Sequence, residues 1–224
     1  MARTSADLFE AIEAGDHQRV DRLLRDDPTL AGARDPSGVS ALMRARYRAD
    51  TRTIGLLRER IDELDVFEGA ALGDVDRVRA LVDAEASLVA ARSGDGFTAL
   101  HFAAFFGTSA VAALLIDRGA DPDARGHGWM TGTALHSAAS AGKLDIAQCL
   151  LDAGADPDAR QSKGHTALHS AAHNGDAALV KLLLQRGADP LLANDEGRTA
   201  LDFATETGDA DTVNAIERAL MSEG

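Results

Sequence analysis

The chain has 224 residues, a formal net charge of −13 and a sequence pI near 4.8. Binding to a nucleic-acid backbone requires clustered Lys and Arg, so this acidic balance argues against nucleic acid as a partner. Hydrophobic residues make up 45% of the chain but aromatic residues only 4%, which predicts a core of Ala, Leu and Val between closely packed helices.

No segment of the sequence predicts secretion or membrane insertion. The start, MARTSADLFE, lacks the apolar stretch of a signal peptide, and no later run reaches the apolar length of a membrane span. Cys149 is the only cysteine, which excludes an intramolecular disulfide and agrees with a reducing compartment. We therefore expect a soluble, cytoplasmic protein that acts as a monomer without a membrane partner.

The N-terminal part of the chain contains three degenerate pairs of predicted helices. Their apolar residues fall at helical spacing in residues 8–24, 38–57 and 65–82. Too little chain lies between Leu57 and Asp65 for a normal hairpin loop, so the sequence predicts that one hairpin is missing there.

From residue 95 onward the chain nearly copies itself. The copies read DGFTALHFAAFFG at 95–107, TGTALHSAASAG at 131–142, KGHTALHSAAHNG at 163–175 and EGRTALDFATETG at 196–208. Their threonines are 35, 33 and 33 residues apart, namely Thr98, Thr133, Thr166 and Thr199. Leu-rich segments follow these copies, and three of the segments end in GADP, at 119–122, 154–157 and 187–190. This period is typical of a repeat architecture.

Each copy predicts one helix-turn-helix unit with a projecting finger. The threonine suits a helix N-cap, and residues such as Leu100 and Ala103 give the first helix a small apolar face. A glycine in the left-handed conformation is expected to end that helix, at Gly107, Gly142, Gly175 and Gly208. The Leu-rich segment forms the second helix, and the Asp-Pro turn after it begins an extended finger.

These copies resemble the ankyrin repeat, which has a period of about 33 residues and a TPLHxA signature. Alanine stands here in the place of the proline, which is helpful at a first helical position but not required. The resemblance implies an all-α ankyrin-repeat solenoid of about seven helix-turn-helix repeats with hairpin fingers. It implies one domain over residues 1–224, with degenerate repeats at about 5–92, regular repeats at about 93–193 and a capping repeat at about 194–224.

The histidines suggest two hypotheses. His101, His136 and His169 recur once per copy, and the resemblance implies that each bonds to the threonine three residues earlier and to neighbouring loops. Alternatively, His169 with His165 and His173 at helical spacing could bind a metal, although no Asp, Glu or Cys completes the ligand set. We favour the structural role and predict no catalytic residue, metal or cofactor. A histidine-based metalloenzyme is the less favoured alternative.

Three arginines recur near the start of successive fingers. Arg92, Arg125 and Arg160 each follow an alanine, and together they would form a basic stripe on an acidic body. Alternatively they pair with Asp123 and Asp158 of neighbouring fingers, which contributes little at exposed sites. The sequence favours the pairing.

The resemblance also implies where a partner binds, namely the concave surface and the fingers. The candidate residues at those positions are Phe97, Phe105, Phe106, Arg118, Trp129, Met130, Lys163, His165, His173, Asn174 and Arg198. We predict one apolar patch formed by the three phenylalanines with Trp129 and Met130, bordered by Arg118 and Lys163 as a polar rim. Alternatively, Phe105 or Phe106 packs against the shortened junction before the fourth repeat.

The resulting functional hypothesis is a non-enzymatic adaptor that binds an unidentified protein. The alternative is a sensor that binds a peptide or a small molecule on the same face.

Overall fold

The computed structural model describes residues 4–127 and 131–222. Within them the chain forms fourteen α-helices and no extended strand. The first helices of the pairs are α1 (Ser5–Ala14), α3 (Ala41–Tyr47), α5 (Val66–Leu72), α7 (Ala99–Phe105), α9 (Ala134–Ser140), α11 (Ala167–His173) and α13 (Ala200–Thr207). The second helices are α2 (His17–Asp26), α4 (Thr51–Arg58), α6 (Val75–Ala84), α8 (Ser109–Asp117), α10 (Leu144–Asp152), α12 (Ala177–Gln185) and α14 (Ala210–Ser222). The predicted all-α solenoid of seven pairs is confirmed.

The helices form two layers, because first helices pack on first helices and second helices on second helices. Alanines allow the first helices to approach each other closely, and several of these alanines are fully buried, including Ala103, Ala104, Ala138, Ala139, Ala171 and Ala172. Leucines from both layers fill the space between them, so one core runs through the described residues. None of the helices in those residues is long and apolar enough to cross a membrane.

The threonines begin the first helices of the last four repeats as predicted. Thr98, Thr133, Thr166 and Thr199 all have extended backbone at the N-cap and take part in capping boxes. Four second helices begin instead with an aspartate whose carboxylate accepts a backbone amide, at Asp16, Asp50, Asp74 and Asp176.

The glycines that follow the first helices do not all act in the same way. Gly142, Gly175 and Gly208 have φ of 64°, 65° and 73°, the predicted left-handed conformation. The same prediction is wrong for Gly107, which has no positive φ. A Cβ on Gly107 would lie 2.3 Å from the carbonyl oxygen of Ala70. Glycine is needed here because the turn after α7 packs directly on the third repeat.

The third repeat has no finger, as the spacing predicted. Only residues 59–65 connect α4 to α5, whereas bridges between Arg34 and Ser40 close the finger before α3. The finger of the second repeat therefore contacts the finger of the fourth. A Cβ on Gly94 would lie 2.1 Å from the carbonyl oxygen of Ser37, so this contact requires a glycine.

The last helix closes the core at the C-terminal end of the described chain. Ile216 is fully buried against the preceding repeat. Asn214, Glu217 and Arg218 are exposed on the other side of α14. An apolar inner face and a polar outer face are what a capping repeat requires.

Candidate functional site

One histidine in each regular repeat bonds to two repeats at once. The amide and hydroxyl of Thr133 lie 3.1 and 3.0 Å from Nδ1 of His136. Since an amide can only donate, Nδ1 accepts, and Nε2 donates to the carbonyl of His165 at 3.2 Å. His101 and His169 repeat this arrangement with the carbonyls of the next fingers. The predicted bonds to threonine and to neighbouring loops are confirmed.

Burial keeps these histidines neutral. It lowers the pKa of His101 and His136 to about 4, although their hydrogen bonds to the carbonyls of the next finger act in the opposite direction. Burial also lowers the pKa of His169. Both ring nitrogens of each histidine are occupied, so none has a lone pair available for a metal ion.

The hypothesised metal series on the sixth repeat does not come together as a ligand set. The side-chain amide of Asn194 lies 3.1 Å from Nε2 of His165 and donates to it, and His169 is bonded as described above. Across residues 4–127 and 131–222 no group of three His, Cys, Asp or Glu side chains has the arrangement of a metal site.

The finger arginines bond to backbone carbonyls of the next finger, and Arg160 also lies 3.8 Å from a carboxylate oxygen of Asp195. Arg92 donates to the carbonyl of Arg125, and Arg125 donates in turn to the carbonyl of Arg160. Asp123 and Asp158 instead accept backbone amides of the next finger, at 3.0 and 2.9 Å. The predicted pairing with Asp123 and Asp158 is therefore wrong. These arginines tie successive fingers together.

An apolar cavity of about 70 Å³, here called the aromatic slot, opens on the first-helix layer. Its lining residues are Tyr47, Phe97, His101, Phe102, Phe105, Phe106 and Ser137. The ring of Tyr47 in the second repeat lies 6.5 Å from that of Phe102 and 5.7 Å from that of Phe106, both in the fourth. Such tilted pairs are favourable contacts between rings.

The third repeat explains why rings from two non-adjacent repeats meet. Gly69 and Phe102 each follow the N-cap residue of their helix by four positions, so α5 carries no side chain where α7 carries a ring. The missing finger removes a second obstacle. Tyr47 therefore reaches across α5 to the fourth repeat.

Two of the arginines near Tyr47 are paired with carboxylates. Arg44 donates through Nε to Asp35 at 2.9 Å, and Arg48 lies 3.1 Å from a carboxylate oxygen of Glu13. Burial acts to raise the pKa of Asp35, but hydrogen bonds from Ser37, Arg44 and the amide of Val39 outweigh it and lower this pKa to about 2. The hydroxyl of Tyr47 donates a hydrogen bond to Asp95. Burial is the main cause that raises the pKa of Tyr47, and this hydrogen bond is the second.

A second cavity, here called the polar pocket, lies farther along the same layer. It has a volume of about 390 Å³ and is lined by Ser140, His165, His169, Ser170, His173, Asn174 and Phe203. The guanidinium carbon of Arg198 lies 3.9 Å from the centre of the Phe203 ring, and Arg198 also pairs with Glu206.

Comparison with known families decides the classification. Residues 67–161 and 135–218 match the family model for ankyrin repeats (3 copies), which together is more than half of the chain. The chain belongs to the ankyrin-repeat family. Ankyrin repeats mediate binding to protein partners. Both cavities of this ankyrin-repeat chain lie on its layer of first helices.

Two curated relatives from Oryza sativa subsp. japonica share the repeats. E3 ubiquitin-protein ligase XB3 is 45% identical over 64 residues, and probable E3 ubiquitin-protein ligase XBOS31 is 44% identical over 63 residues. Each match covers 28% of the ankyrin-repeat chain and 14% of the relative. The similarity is thus confined to a small part of the relatives.

Some of the predicted binding residues of this ankyrin-repeat chain line one or other of the two cavities. Phe105 and Phe106 are half-buried in the aromatic slot. Phe97 is only 4% exposed, so its assignment as a surface binding residue is corrected: it forms the floor of the slot. The remaining slot candidates, Trp129 and Met130, lie outside the described residues.

The predicted polar rim is not around the slot. Arg118 pairs with Asp83 of the preceding repeat at 2.8 Å and does not line the slot. Lys163 is exposed on a later finger with φ of 61° and lines neither cavity. His165, His173 and Asn174 line the polar pocket, and Arg198 lies beside it on Phe203.

Sequence reasoning missed two rings that line these cavities, Tyr47 and Phe203. The position of each ring relative to the N-cap residue of its helix could have indicated both. Tyr47 follows its N-cap Ser40 by seven positions, as Phe105 follows Thr98. Alignment of the degenerate second repeat on the regular copies would have placed Tyr47 at the position of Phe105.

Proposed function

We propose that this ankyrin-repeat chain is a non-catalytic interaction module that binds a protein partner on its concave face. The observation that carries the proposal is the aromatic slot. Aromatic residues form only 4% of the chain, yet Tyr47, Phe105 and Phe106 are gathered there with part of their surface exposed. Large aromatic side chains in such positions are the usual centres of protein interfaces.

The chemistry of the concave face supports binding rather than catalysis. The buried histidines are neutral, and each uses one ring nitrogen for the threonine of its own repeat and the other for a carbonyl of the next finger. The thiol of Cys149 has a pKa raised by burial and by nearby Asp152 and Asp117, which disfavours the reactive thiolate. The histidines hold the repeats in register, which makes the face a rigid surface for a partner.

The relatives support an interaction role for the repeats alone. Their printed names describe ubiquitin ligases, but the ankyrin-repeat chain matches 14% of each. We therefore propose partner recognition for this region and do not carry over a ligase activity. Fold and a shared repeat do not specify the partner.

Capture of partners from the source cells by the purified chain tests the proposal. Phe105→Ala shortens one wall of the slot, while Leu144→Ala removes an exposed apolar side chain from α10 in the outer layer. We expect Phe105→Ala to weaken a captured partner by about 2 kcal/mol, roughly 30-fold, and Leu144→Ala to leave the affinity unchanged.

Melting temperatures of both variants are needed beside the binding data. Capture that is equally strong for a folded Phe105→Ala variant contradicts binding at the slot. Hydrogen exchange of the complex would then show which other face the partner protects.

A further inference from the structure

The aromatic slot and the polar pocket are two parts of one groove. Ser137 lines the slot and Ser140 lines the polar pocket. These serines are three residues apart on α9, so they lie on the same face of that helix as neighbours. Only the width of α9 separates the two cavities.

Small side chains form the floor of this groove. Ser137 and Ser170 occupy the position that Phe102 occupies in the fourth repeat, and Ser140 occupies that of Phe105. The rings of the fourth repeat form one wall, and Phe203 of the last repeat forms the other. The face is therefore low across the fifth repeat, between the rings of the fourth repeat and those of His173 and Phe203.

The slot suits an uncharged side chain. His101 contributes only ring carbons, because both of its nitrogens are bonded to Thr98 and Gly132. Arg44 and Arg48 are paired with Asp35 and Glu13. The other two charges that contact the rings, Arg46 over Phe106 and Asp95 on the Tyr47 hydroxyl, are of opposite sign. A cavity needs about 10–15 Å³ to hold one water molecule. The slot, at about 70 Å³, therefore has room for several non-hydrogen atoms, as in a Leu, Met or Phe side chain.

The polar pocket suits the main chain of an extended peptide. The side-chain amide of Asn174 donates to the carbonyls of Ala139 and Ser140, and its Oδ1 accepts no hydrogen bond from the described residues. The hydroxyls of Ser140 and Ser170 add further neutral donors and acceptors, and the exposed ring of His173 lies beside them. None of these groups requires a charged ligand.

We propose that the groove binds an extended, uncharged segment of a partner protein. One aromatic or large aliphatic side chain enters the aromatic slot, and the adjoining main chain bonds to Ser140, Ser170 and Asn174. Packed helices lie about 8–10 Å apart, so the slot and the pocket are separated by about three residues of extended chain. The chain as a whole carries −13, so basic residues on either side of the segment speed its association.

This inference rests on the proposed function and commits to one kind of occupant. A folded partner surface would not need a groove only a few residues wide, and an acidic segment would be repelled by the net charge. Either occupant is an outcome that the following experiment distinguishes.

Selection of random short peptides displayed on phage against the purified chain tests the inference. The variant Ser140→Arg places a long side chain on the groove floor, and Ser140 is exposed, so the helix accepts it. Ala84→Arg makes the same change of charge at an exposed position of α6 in the outer layer. Affinities of the selected peptides are measured by fluorescence anisotropy.

We expect enriched peptides to share one aromatic or large aliphatic residue within an uncharged stretch. Ser140→Arg should weaken them at least about tenfold, and Ala84→Arg less than about twofold. Failure to enrich peptides, enrichment of acidic peptides, or equal binding to wild type and Ser140→Arg overturns the inference. If a partner is still captured and lost with Phe105→Ala, the proposed function stands and the partner presents a folded surface.

Discussion

Nη2 of Arg46 donates a 2.9 Å hydrogen bond to the carbonyl of Phe106, and its guanidinium carbon lies 5.1 Å from the centre of the Phe106 ring. This contact joins the second repeat to the fourth across the third. Arg46 occupies a position where the regular repeats have alanine, as at Ala104. No carboxylate of the described residues lies within ion-pair distance of Arg46, and its Nε is buried without a partner. The bond to Phe106 thus compensates only part of the cost of burying this arginine.

Replacement of Arg46 tests whether this contact stabilises the junction. Arg46→Met keeps the aliphatic stem and removes the hydrogen bond and the cation–π contact. We expect the free energy of unfolding to fall by about 1–2 kcal/mol, measured by urea denaturation. Arg48→Met, which breaks an exposed pair with Glu13, should change it by less than about 0.5 kcal/mol. An Arg46→Met variant as stable as the wild type would mean that the desolvation of Nε cancels the contact.

The ionisation of Tyr47 can be followed directly because it is the only tyrosine of the chain. Burial and the carboxylate of Asp95 raise its pKa above the ordinary value of 10. We expect ultraviolet titration of the folded chain to show tyrosinate only well above pH 10, and Asp95→Asn to move the titration to lower pH. A midpoint at or below 10 in the folded chain would contradict the closed position of Tyr47 over Phe102 and Phe106.

Acid should destabilise the chain through its neutral histidines. The pKa of His101 and His136 is about 4 in the folded state against 6.5 unfolded, so the unfolded state binds more protons between these values. Their stabilising contribution is complete above pH 6.5 and is lost as the pH falls towards 4. At about pH 4, each of the two histidines should have lowered the free energy of unfolding by about 2–3 kcal/mol. Asp35 contributes separately, since its stabilising effect is lost only below 3.8, towards 2.

Urea denaturation from neutral pH to about pH 4 measures this loss. His136→Gln should be less stable than wild type at neutral pH, because it leaves buried partners unpaired, and should depend less steeply on pH. If the stability of His136→Gln depended on pH as steeply as that of the wild type, the loss of stability in acid would not come from the buried histidines.

Two glycines should respond to alanine in opposite directions. Gly94→Ala forces a Cβ to within 2.1 Å of the Ser37 carbonyl and should lower the melting temperature by separating the two fingers. Gly55→Ala, inside α4 with no atom near its Cβ position, should raise stability by up to about 1 kcal/mol. Calorimetry of both variants checks the pair. Equal melting temperatures for Gly94→Ala and wild type would show that the fingers of the second and fourth repeats do not touch.

Most of the fold could be predicted because its determinants are local and recur. Thr133 and His136 are three residues apart, and the bond between them needs only the start of one helix. The spacing of the threonines, the Leu-rich segments and the short link before Asp65 then led to seven helix pairs and one missing finger. The candidate site was predicted only in part, since Phe105 and Phe106 were found from their register while Tyr47 was not.

The sequence by itself therefore determined the repeat unit, its caps and the order of the helix pairs, since each depends on residues within one period. Only the tertiary structure decided that Tyr47 meets Phe102, because this requires two non-adjacent repeats to touch over the ringless position at Gly69. The same holds for Gly107, whose neighbour is the carbonyl of Ala70 in another repeat. The finger arginines, too, donate to backbone carbonyls of the next finger. Which carbonyl each arginine reaches depends on how the repeats stack, not on the charge of its side chain.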